Sequence, residues 1–141
     1  MYDRKRNTHI EDEIFPYATI KKDLRPELIV KARKMAIIKD ENHVWKELDD
    51  LELLKSAKLY LEDKRENKQG LTLGAILLFG NDIAIGTVAP SYKTDAIVRK
   101  YDIDRYDDRD DIRTNLIDSY DRLMMFIKKT YKRSFLFRRN Y

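Results

Sequence analysis

Cysteine is absent from the chain, which excludes disulfides, thiolate zinc sites and cysteine nucleophiles. Glycine occurs four times and proline three times in 141 residues, so there is no flexible linker and no low-complexity segment. Glycine is also too sparse for a phosphate-binding loop: "LLFGNDIAIG" lacks the GK[ST] grip on a triphosphate. Two histidines are too few for a zinc centre built on imidazole, and neither has an evident triad partner. His9 sits in a polar N-terminal segment, and His43 beside Trp45 in "ENHVWKE" reads as part of a packing plug. "APSYKTDA" holds Ser91 and Lys93 without a nucleophile elbow or an SxxK spacing. No run approaches the roughly 18–20 apolar residues that span a bilayer. The opening "MYDRKRNTHIEDE" has no apolar stretch of the secretory kind. These absences lead us to expect a cytoplasmic, non-enzymatic protein without a membrane partner.

What is present suits one folded module over residues 1–141. A hydrophobic fraction of 43% supports a real core, and a charged fraction of 38% gives it a well-solvated surface. The clearest elements are helical. One is expected from about Leu24 to Ile37, capped by Asp23 with Pro26 in the first turn. Leu28, Ile29, Ala32, Met35 and Ala36 form its apolar stripe. A second starts at "DDLE", where Asp49 and Glu52 have the spacing of a capping box. "TLGAILLFG" fits a buried strand or a buried helix; Thr72 as cap and Gly80 as left-handed terminator favour the helix. "EDKRENKQG", residues 62–70, reads as a surface loop.

The longest helix is expected over 111–131. Ile112, Leu116, Tyr120, Leu123, Ile127 and Tyr131 recur at steps of four and three, with Ile117 and Met124 in a second row. Strands are expected near 94–102 and 134–139, forming a small antiparallel sheet on this helix. "EIFPYATI" is a further strand candidate, confined by Pro16 to an edge. The class is α+β, with more helix than strand.

Two charge clusters invite chemistry. "DIDRYDDRDD", residues 102–111, packs six aspartates and two arginines into ten positions. It fails as an EF-hand loop, because Tyr106, Asp107 and Arg113 occupy the fifth, sixth and twelfth places. Asp107 and Asp108 are left as weak candidates for a looser divalent-metal site. The competing expectation is a turn in which Asp110 or Asp111 caps the helix from Ile112, with Arg105 and Arg109 supplying ion pairs. The second cluster is basic. The last fourteen residues hold Lys128, Lys129, Lys132, Arg133, Arg138 and Arg139 and no acid, a candidate nucleic-acid patch. The alternative is a cationic complement to the end of a helix dipole.

"LTLGAILLFG", "KTDAIVR" and "RYDDRDDIRTNLIDSYDRLM" together resemble the middle region of a bacterial family of transcriptional regulators. This family includes RecG-helicase-related ATP-binding proteins, and the resemblance extends over nearly the whole chain. In it a Schlafen/AlbA-type (divergent AAA) DNA-binding domain precedes the region and a GHKL-type ATP-binding domain follows. The resemblance makes Thr94, Asp95, Arg105, Tyr106, Asp107, Asp108 and Arg109 a family signature of structural character. It also implies that the chain is a module excised from a longer regulator. Its partners would be the flanking domains, with DNA reached through the parent protein and ATP bound by the parent rather than by this segment. Apolar surface bared at cut ends could also support a homodimer. The expected function is non-catalytic coupling between those domains; the alternative is autonomous nucleic-acid binding through the basic patch.

Overall fold

The computed structural model describes residues 9–98 and 108–139. In chain order these form β1 (Ile14–Phe15), α1 (Ile20–Asp23), α2 (Pro26–Lys39), α3 (Asp50–Ser56), β2 (Tyr60–Asp63), β3 (Lys68–Thr72) and α4 (Leu73–Phe79). There follow α5 (Asp82–Val88), β4 (Thr94–Val98), β5 (Asp108–Ile112) and α6 (Leu116–Arg139). Short 3-10 turns at Ile10–Asp12 and Val44–Glu47 complete the order. Among the described residues there are two antiparallel sheets, one ordered β1-β3-β2 and one pairing β4 with β5. The protein is α+β and helix-rich.

The core joins α2, α3, β3, α4 and α5 through Leu28, Ile29, Leu53, Leu54, Leu71, Ile76, Phe79 and Ile85. Side-chain caps fix where the helices start. Asp49 Oδ1 accepts the Glu52 N–H at 2.8 Å, opening α3. Thr72 Oγ1 accepts the Ala75 N–H at 3.2 Å and its hydroxyl donates to the Leu59 carbonyl, so a buried threonine opens α4 without an unpaired group. Helix α3 closes in a Schellman motif: Leu59 N–H bonds the Leu54 carbonyl at 2.8 Å and Lys58 N–H the Lys55 carbonyl at 3.1 Å. Lys58, at φ 61°, occupies the left-handed position that usually falls to glycine.

Several expectations are corrected. Helix α2 starts at Pro26, not Leu24; Asp23 instead accepts the Thr19 N–H at 2.7 Å and closes α1. Gly80 ends α4 with an extended backbone, φ −68°. A glycine is required there because an added Cβ would collide with the Ile76 carbonyl oxygen. Residues 62–70 are not a loop but most of the β2–β3 hairpin, turned at Asn67 with φ 50°. The segment 134–139 is not a strand. It is the last part of α6, and the partner of β4 is β5. The expected strand 94–102 is observed over 94–98, and its remainder lies outside the described residues.

The long helix begins at Leu116, four residues later than 112, and Asp110 and Asp111 do not cap it. Asn115 does. Fully buried, it accepts the Asp118 N–H at 2.8 Å through Oδ1 and donates through Nδ2 to Asp118 Oδ2 at 3.0 Å. Arg25 Nη1 meets the same Asp118 oxygen at 2.6 Å and so ties α6 to the start of α2. Thr114 Oγ1 donates to Asp82 at 2.8 Å, and Ser119 donates back to the Thr114 carbonyl at 3.0 Å.

Two stability outcomes follow. Asn115→Ala removes the cap and leaves Asp118 with fewer partners, and should lower unfolding free energy by about 1–3 kcal/mol in urea titration. Lys58→Gly relieves the left-handed lysine and should raise it by about 1 kcal/mol.

Candidate functional site

The described part of the acidic cluster, residues 108–111, lies in strand β5. Thr94 pairs with Ile112, Asp95 with Asp111, Ala96 with Asp110, Ile97 with Arg109 and Val98 with Asp108. Strand periodicity then sends successive aspartates to opposite faces. Ala96 and Ile112 are buried, and Asp110 on their face is held by Arg122 of α6. On the other face Asp95 lies directly opposite Asp111, a like-charge pair that weakens a hairpin unless neutralised. Lys93 and Arg109 reach Asp95 at 3.1 Å each, and Arg113 reaches Asp111 at 3.2 Å. The hydrogen bond from Arg109, followed by that from Lys93, holds the Asp95 carboxyl below the usual aspartate range.

Asp107, with Arg105 and Tyr106 of the signature, lies outside the described residues. Asp108 opens β5, opposite Val98. Among the described residues no three His, Asp or Glu side chains are grouped to hold a metal ion. The described signature residues Thr94, Asp95, Asp108 and Arg109 come together on paired strands β4 and β5, with Asp95 and Arg109 bonded to each other.

The basic residues come together differently from expectation. Lys128, Lys129, Lys132, Arg133, Arg138 and Arg139 all belong to α6 rather than to a helix and a strand. Lys128, Lys129 and Lys132 are exposed. Among the described residues, ion pairs fasten the first two turns of α6: Asp118 to Arg25, Asp121 to Lys31 at 2.7 Å, and Arg122 to Asp110. Among the described residues no helix is long and apolar enough to cross a membrane.

Sequence reasoning missed an apolar groove of about 280 Å³ between α2, α4 and α6, lined by Lys31, Met35, Leu78, Leu116, Ile117, Tyr120 and Asp121. Met35 was expected in the core but is 62% exposed, and Tyr120 is 63% exposed. The missed anchor Asn115 carries its own signal, an Asn-x-x-Asp spacing ahead of an apolar run.

A family model described as a domain of unknown function, DUF8451, matches residues 1–95. The chain belongs to that family. The DUF8451 match takes in the three-stranded sheet, α1 to α5 and the first two residues of β4. The search of curated proteins finds no match, and neither does the search of solved structures.

The ion pairs of the second sheet have a pH consequence. Asp95 is depressed in the folded chain, so its contribution is present above the unfolded aspartate value of about 4 and is lost as pH falls through the lowered folded value. Amide shifts of 94–98 and 109–112 should therefore move together in acid. Asp95→Asn should remove that titration and leave the hairpin weaker at neutral pH.

Proposed function

We propose that the chain is a non-catalytic coupling module in a regulator that also carries DNA-binding and ATP-binding domains. The observation that carries this proposal is the form of α6. Ion pairs tie its first two turns to the start of α2 and to β5, and beyond them the same helix exposes Met125, Ile127 and Tyr131. An amphipathic helix held at its first turns and exposing apolar side chains beyond them suits attachment to a neighbouring domain. The resemblance of "KTDAIVRKYDIDRYDDRDDIRTN" to the middle region of such regulators supplies the identity of those neighbours. The chain's place is cytoplasmic on the same grounds.

A second function, direct nucleic-acid binding, is favoured by a separate observation. From residue 128 onward α6 carries six cations and no acid. Lys128 and Lys132 are one helical turn apart and both exposed.

Calorimetry with ATP separates coupling from a nucleotide-binding role: the chain should show no saturable heat, and tight binding would overturn the proposal. For the second function, a low-salt mobility shift with duplex DNA should be lost in the Lys128→Glu, Lys129→Glu, Lys132→Glu triple variant and weaken steeply with added salt. Absence of any shift at low salt removes nucleic-acid binding.

A further inference from the structure

The groove beside α6 extends further than its enclosed part. On α2 its wall is Lys31 and Met35, and Ile38 follows on the same face, 84% exposed. On α6 the lining residues Ile117 and Tyr120 continue as Met124, Ile127 and Tyr131, at alternating steps of three and four. That spacing is the seam of a helix that expects another helix against it. Tyr120, Ile127 and Tyr131 are 63%, 49% and 70% exposed, while Ile117 and Met124 on the same seam are partly buried. From Leu116 to Tyr131 the seam runs for about 22 Å, the length of a four-turn helix.

Charge selects the occupant. Asp121, the acid lining the groove, is already neutralised by Lys31 at 2.7 Å. Lys34 stands one turn from Lys31 on α2, and Lys128 and Lys132 flank the seam on α6; all three are exposed. An apolar floor with a cationic rim favours an acidic amphipathic helix and disfavours a basic one. A second copy of this chain is a poor fit. Among the described helices only α2 and α6 are long enough to fill the groove, and both are net basic. The larger apolar cleft between β1 and α5, about 530 Å³, has Glu13 and Asp23 beside Lys22 at its edge and selects no charge.

We propose that the groove between α2 and α6 is a docking surface for an acidic amphipathic helix of a partner domain or protein. The proposal rests on the coupling function and names the chemistry of the element to be coupled. Leucines of such a helix would pack on Met35, Leu78, Tyr120 and Ile127, while its carboxylates would face Lys34, Lys128 and Lys132.

The test uses the full 141-residue chain and a designed probe. This is a helical peptide of about 16 residues with leucines at one face and glutamates elsewhere, alongside a counterpart with lysines for the glutamates. The glutamate peptide should bind saturably by fluorescence anisotropy, shift amides of 31–38 and 116–131, and weaken with salt. Met35→Glu and Tyr120→Glu should each weaken it roughly tenfold or more, whereas Ile83→Glu in the other cleft should not. Failure of the glutamate peptide to bind overturns the proposal, as does equal binding of the lysine peptide or indifference to both groove variants. Self-association that Tyr120→Glu abolishes overturns it too, because the occupant is then a second copy. ATP calorimetry tests the coupling function separately: a silent titration beside a failed peptide leaves coupling standing without this surface, whereas tight ATP binding removes coupling whatever the peptide does.

Discussion

Asp118 is where the two parts of the molecule meet. One of its oxygens receives the Arg25 guanidinium and the Asn115 amide together, and its backbone N–H is taken by the same asparagine. Arg25 in turn donates its backbone N–H to Phe79 at the end of α4. The first-sheet body and the unit of β4, β5 and α6 are therefore joined by a charged, partly buried junction rather than by apolar packing alone. Such a junction specifies direction: a carboxylate shared by a fork and a cap has few alternative arrangements. The position of α6, and with it the groove and the basic stretch, depends on this side chain together with the Lys31–Asp121 and Asp110–Arg122 pairs.

The second sheet follows a related rule. Its sequence is dominated by aspartate, a poor strand former, and two aspartates face each other across the ladder. It forms because cations are placed at each: Lys93 and Arg109 on Asp95, Arg113 on Asp111, Arg122 on Asp110. Exposed pairs of this kind add little singly, so their role here is to cancel repulsion while buried Ala96 and Ile112 supply the packing.

The parts legible in the sequence were those set by short-range chemistry. Asp49 and Thr72 cap α3 and α4 as their spacing implied, and the α+β class followed from the helical stripes. The failures have physical causes. Phe135 and Phe137 alternate as strand residues do, but 134–139 continues an existing helix, and adding a residue to a formed helix is far easier than starting one. Residues 62–70 look like a loop because β2 and β3 have solvated positions, Glu62 and Gln69 among them, while the pairing of Tyr60 with Leu71 across the ladder is not a local property. Asp110 and Asp111 suggested a cap because the arginines that neutralise them, Arg122 on α6 and Arg113 just past β5, are brought to them by the fold. The groove escaped notice because Met35 and Tyr120 lie on stripes that periodicity assigns to the interior. Burial of part of a stripe does not mean burial of all of it.

Helix α6 has 24 residues, about 36 Å of rod, and ion pairs hold its first two turns. A rotation of about 10° at Asn115 would carry the far end through about 6 Å, more than one helical turn of rise. Small rearrangements around one shared carboxylate are thereby magnified at the opposite end of the molecule.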